Sequence, residues 1–265
     1  MRNPVVAGQF YPGNADGLKH QLEALFKDAV KETLPIKGAI VPHAGYIYSG
    51  HVAAEVYARL SARKTTYIII GPNHHGLGSP LAFSKDIWKT PLGEVESDTD
   101  LADALTGSII IHDEIAHKHE HSIEVQLPFL QVRFSGFKIL PISMGMQDEE
   151  TAIEVGQSIA SASKKLNRDI TVIASSDFTH YEPQEIARKV DTKLIEAILN
   201  MDVSEFYRRV YNQNATACGY GPIAATMTAA MKLGAISGKL LRYATSGDVA
   251  KDYRQVVGYG AIVFT

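Results

Sequence analysis

Tyr67-Ile68-Ile69-Ile70-Gly71-Pro72-Asn73-His74-His75 sets a short unbroken apolar run against a turn and two histidines. Such a run, bounded by Gly and Pro, reads as a strand buried on both faces rather than as an exposed one. Two other stretches repeat the pattern. Gly38-Ala39-Ile40-Val41-Pro42-His43 ends in a histidine, and Ile170-Thr171-Val172-Ile173-Ala174-Ser175-Ser176-Asp177 ends in an acid with His180 three residues on. In an open α/β sheet, ligands bind in the crevice outside the carboxyl ends of the strands. Three strands therefore deliver His43, His74-His75 and Asp177-x-x-His180 to one rim, as a metal or acid/base site would require.

Working outward, helical stripes separate these strands. Helices are expected over 15–31, 52–60, 98–105, 122–132, 149–165, 185–199, 203–211 and 221–233. Strands are expected over 39–41, 67–70, 109–111, 137–142, 170–174, 240–245 and 257–264. Pro128 belongs in the first turns of its helix or at a kink, and Gly45 and Gly50 read as a turn before the 52–60 helix. Alternating strands and helices predict a single-domain α/β sandwich over residues 1–265 with a mixed, largely parallel central sheet. The last two strands lack a helix between them, which points to an antiparallel edge pair. No linker, repeat or low-complexity stretch divides the chain.

The 265 residues are 45% hydrophobic and 21% charged, with a net charge of −3. That supports a sizeable core and gives no basic footprint for nucleic acid. No apolar run approaches the roughly 20 residues of a membrane span. Residues 1–8 lack the apolar core of a signal peptide, and the single cysteine, Cys218, suits a reducing compartment. A cytoplasmic protein is expected.

The chemistry-bearing residues gather in a few motifs. Adjacent side chains of an extended segment diverge, so of His74 and His75 only one should reach a given metal, and His74 is the expected one. In Ile111-His112-Asp113-Glu114-Ile115-Ala116-His117-Lys118-His119-Glu120-His121-Ser122, the residues His112, His117 and His119 read as a solvated loop. His121, at an expected helix start, reads as an acid/base group whose pKa the helix end lowers. Asp177 is placed to orient the His180 imidazole. Cys218, between glycines before a helix, is expected as a thiolate that completes a His43/His74/Cys218 metal site. Thiolate with imidazole suits iron, copper or zinc rather than magnesium or calcium. The sequence contains no Walker A, G-x-G-x-x-G, H-E-x-x-H or G-x-S-x-G motif.

In this order, Pro42-His43-Ala44-Gly45-Tyr46-Ile47-Tyr48-Ser49-Gly50, Gly71-Pro72-Asn73-His74-His75, Glu120-His121-Ser122-Ile123-Glu124, Ser175-Ser176-Asp177-Phe178-Thr179-His180 and Cys218-Gly219 resemble the Memo family. The opening Ala7-Gly8-Gln9-Phe10-Tyr11-Pro12 resembles the family's own. The resemblance implies a fold similar to LigB-type class III extradiol dioxygenases, with Cys in place of their Glu ligand. It implies His43, His74 and Cys218 as ligands of an iron or copper ion, zinc being the further option. His121, Asp177 and His180 would be the catalytic pocket residues. It further implies AMMECR-type and radical SAM proteins as associated partners, beside a small molecule or peptide in the pocket. Three functions follow as expectations: a redox or oxygenase-like enzyme, a retired pocket that binds a peptide or protein, and a zinc-dependent hydrolase.

Overall fold

The computed structural model describes residues 1–61 and 66–265. In chain order the elements are α1 (Ala15–Lys27), β1 (Gly38–Val41), α2 (Tyr46–Tyr57), β2 (Thr66–Pro72), β3 (Leu81–Phe83), β4 (Trp88–Thr90), β5 (Gly93–Val95), α3 (Thr99–Ala104) and β6 (Ile111–His112). They continue with α4 (Leu127–Arg133), β7 (Lys138–Met144), α5 (Glu149–Lys165), β8 (Ile170–Ser175), β9 (His180–Glu182), α6 (Gln184–Leu199) and α7 (Val203–Asn212). The last four are α8 (Tyr220–Lys232), β10 (Gly238–Thr245), α9 (Ser246–Ala250) and β11 (Val256–Phe264).

Among the described residues one mixed sheet runs β10-β11-β1-β8-β2-β7-β3-β6, with β9 paired to β11 off this path. The four central strands β1, β8, β2 and β7 are mutually parallel, so their carboxyl ends share one edge. The expected antiparallel edge pair is β10 with β11, which in turn pairs antiparallel with β1. Side chains alternate across the sheet. Ile68 and Ile70 of β2 enter one core with α5, α6, α7 and α8, whereas Tyr67 and Ile69 enter the other with α1, α2 and α4. Helices thus cover both faces, and β2 is buried along its whole length. No helix among the described residues is long and apolar enough to cross a membrane.

Several boundaries differ from the sequence reading. Helix α2 begins at Tyr46, so Gly45 is its N-cap and Gly50 lies inside it. A Cβ on Gly50 would fall 2.7 Å from Leu25 Cδ1, so this glycine serves the packing of α1 on α2 rather than a bound group. Pro128 sits in the first turn of α4, where its missing N–H costs nothing. The short strands β3, β4 and β5, three residues each, carry no usable periodicity and have no counterpart among the expected elements. His117 is not in a solvated loop: it is buried against Trp88 and its Nε2–H donates to the Ala82 carbonyl at 3.1 Å. His112 and His119 are exposed, as expected.

Candidate metal centre

Because β1, β8 and β2 lie side by side and parallel, the residues just past them meet above one edge. His43 follows β1, His74 follows β2, and Ser175 ends the intervening strand β8 with Asp177 two residues beyond. The 120–122 segment is drawn onto this edge from outside the sheet. The Ser175 hydroxyl donates to the Ser122 carbonyl at 2.7 Å. Gly71 allows the close approach, since a Cβ there would lie 2.1 Å from Ser122 Oγ.

One nitrogen from each of His43, His74 and His121 can be chosen so that all three lie within 4.8 Å of one another. The His74 and His121 rings stack at 4.8 Å and 20°, and the His43 ring stands edge-on to both at 5.1 and 5.5 Å. Hydrogen bonding fixes two of the tautomers. Glu120 accepts from His74 Nδ1–H at 2.9 Å, and its other oxygen takes the His74 backbone N–H at 2.7 Å. Ser175 has spent its proton on Ser122 and accepts from Gln126 Nε2 at 2.8 Å, so at 3.1 Å it accepts from His43 Nδ1–H as well. In the neutral form of each ring, Nε2 then carries the lone pair. Burial, with the neighbouring His74 and His121, lowers the His43 pKa well below the ordinary value. Burial lowers that of His121 to about 4. Burial would raise the Glu120 pKa, but the hydrogen bonds from His74 hold its carboxyl well below the usual range. Imidazoles oriented by fixed Nδ1 partners, beside an ionised carboxylate, are what a metal ion requires of its ligands. The donor set fits.

The set differs from the one expected. The three-residue cluster is His43, His74 and His121, and Cys218 is outside it. The Cys218 sulfur is instead held in hydrogen bonds, accepting from the Asp177 N–H at 3.3 Å and lying 3.2 Å from His43 Nε2. Burial and then the Asp177 carboxylate push its thiol pKa up, opposite to the thiolate expected from its place before a helix. The His/His/Cys pocket is thereby corrected to a His/His/His cluster. The iron-or-copper redox and oxygenase-like readings that leaned on a soft thiolate lose that support. His121, expected as an acid/base group, is the third member of this cluster.

All six residues singled out from the sequence nevertheless line one cavity of about 470 Å³, with Phe10, Tyr181, Thr216 and Val257 among its other walls. Asp177 does not orient His180. Its Oδ1 accepts the His43 backbone N–H at 2.8 Å, and burial raises its pKa. His180 is oriented by Thr216, whose carbonyl accepts from Nδ1–H at 2.9 Å and whose hydroxyl accepts the His180 backbone N–H at 2.7 Å. His75 is exposed beside His119 and is not a member of the cluster. Glu120, Ser175 and Thr216 had no assigned role in the sequence reading. Glu120 and Ser175 stood inside the quoted motifs, and a carboxylate next to a candidate ligand was the available signal.

A family model for Memo-like proteins matches residues 2–263. A MEMO1 family protein of Methanosarcina barkeri is 56% identical over 264 residues, covering 99% of this chain and 99% of its own. One from Archaeoglobus fulgidus is 49% identical over 264 residues, covering 100% of this chain and 99% of its own. The crystal structure of an uncharacterised Escherichia coli K12 protein is similar at a TM-score of 0.56 and 10% identity, over 86% of this chain and 99% of that one. That likeness concerns the fold alone.

Proposed function

The chain belongs to the Memo family, and on that footing we propose that it is a metal-dependent enzyme whose ion is held by His43, His74 and His121 and whose substrate is a small molecule. The observation that carries this reading is the convergence of three imidazoles, two with Nε2 freed by fixed partners on Nδ1. An all-imidazole set suits zinc, iron or copper and disfavours magnesium and calcium. When bound, such an ion supplies Lewis acidity at an open position of its coordination sphere. The residues around it do the rest. The cavity of about 470 Å³ is of the size that encloses small ligands. His180, with Nδ1–H committed to Thr216, offers Nε2 to take or give a proton. Asp177 holds the His43 backbone in place.

Metal titration tests the reading. The chain is expected to bind one equivalent of Zn(II) or Co(II). His43→Ala, His74→Ala and His121→Ala should each lose more than the roughly 10- to 100-fold typical of losing an orienting partner. His75→Ala should bind as wild type, and so should His180→Gln, which leaves every donor in place. Wild-type affinity in His121→Ala, or a loss in His75→Ala equal to that in His74→Ala, would overturn the three-imidazole assignment.

A further inference from the structure

The 117–124 segment, which brings Glu120 and His121 to the site, is fastened by the start of the chain. Glu124 is a fully buried carboxylate, and among the described residues its donors come from residues 2–11. Its Oε2 accepts from Arg2 Nη1 at 2.6 Å and from the Val5 N–H at 2.8 Å. Its Oε1 accepts from the Val6 N–H at 3.1 Å and from the Tyr11 hydroxyl at 2.6 Å. The buried Arg2 guanidinium lies over Trp88 at 4.1 Å and spans the segment. Its Nε donates to the His117 carbonyl at 3.0 Å, and its Nη2 donates to the Glu120 carbonyl. Phe10 closes the same stretch: its ring meets His121 edge-on at 5.0 Å, and its carbonyl accepts the Tyr46 N–H at 2.8 Å.

We propose that residues 2–11 are a strap coupled to metal binding, with Arg2 as a positioning residue that acts on the ion through Glu120 and His121. This rests on the three-imidazole reading. Only a planar fork can hold the His117 carbonyl, the Glu120 carbonyl and the Glu124 carboxylate at once. A lysine keeps the charge near Glu124 but not the three fixed bonds. With the fork gone, the Glu120 backbone and the His121 ring lose their common anchor, and the cluster must be ordered by the ion itself. Linkage makes the effect reciprocal: an ion that binds better when the strap is docked holds the strap down by the same factor.

The test uses Co(II) and the full chain. Arg2→Lys should keep the far-ultraviolet circular dichroism of the wild type, bind Co(II) about 10- to 100-fold more weakly, and show an altered Co(II) absorption spectrum, which a purely structural role would not produce. In the wild-type chain, Co(II) should slow hydrogen exchange at the Val5 and Val6 amides by the same factor. That second measurement needs no variant and decides the matter if Arg2→Lys fails to fold. Unchanged exchange at Val5 and Val6 in Co(II)-bound wild type overturns the coupling. So does a folded Arg2→Lys with wild-type affinity and spectrum. Wild-type protein that takes up no Co(II) overturns the metal reading and the coupling with it.

Discussion

His117 shows how one side chain turns burial into a pH response. Its Nε2–H is bonded to Ala82 and its Nδ1 is buried without a partner, so the ring is held neutral. Burial lowers its pKa from 6.5 to about 4. Between those values the unfolded chain binds a proton that the folded chain does not, so stability falls as pH drops from about 6.5 toward 4. The contribution at stake is up to about 3 kcal/mol, at 1.36 kcal/mol per pKa unit. His43 and His121 act in the same direction, so the informative quantity is a difference. His117→Gln keeps an N–H for Ala82 and removes the titration. Denaturant unfolding at pH 7 and pH 5 should show a smaller acid loss in the variant than in the wild type. Equal losses would mean that His117 is protonated in the fold without penalty. Nothing local signals this burial, because a histidine among Asp, Glu, Lys and other histidines carries the composition of a surface loop.

Helices α5 and α8 pack on the same face of the sheet, and their contact depends on a position without a side chain. A Cβ on Gly156 would lie 2.5 Å from the Ala225 carbonyl oxygen and 2.7 Å from Thr228 Cβ. Gly156→Ala would gain about 1 kcal/mol of helix propensity at an exposed site. Here the obstacle is α8 backbone, which cannot rotate away, and overpacking of this kind costs typically 1–3 kcal/mol. Net destabilisation is expected, read as a lower urea midpoint at unchanged slope. A stabilised variant would show that the helices part easily. The matter reaches the site, because α8 begins two residues after Cys218 in the cavity wall. The small-residue composition of 221–233 made close packing legible from the sequence, whereas the partner that demanded it, Gly156, was not.

Across the whole molecule, the three imidazoles arrive from positions 43, 74 and 121, far apart in the chain and joined only by the fold. An ion that binds the folded chain alone stabilises it by mass action, about 2.7 kcal/mol at a free concentration 100 times Kd. The melting temperature should therefore rise with Zn(II) concentration in the wild type, and the rise should vanish in His43→Ala. A shift that persists in that variant would place the stabilising ion elsewhere.

The sequence by itself determined the layered α/β architecture, since fully apolar runs of strand length alternating with helical stripes have few ways to bury both faces. It also determined the rim, because parallel strands must end together: His43, His74, Asp177 and His180 were placed by their positions after such runs. The third member of the cluster was a tertiary decision. His121 and Cys218 both reach the cavity, and nothing local ranks them. Ser175 and Arg2 draw the 120–122 segment onto the sheet edge and seat the His121 ring beside His74. Burial and the Asp177 backbone hold Cys218 as a hydrogen-bonded thiol at the wall. Spacing along a chain fixes which residues an edge can receive. Which of them converge depends on hydrogen-bond partners more than 40 residues away, and those exist only once the sheet has formed.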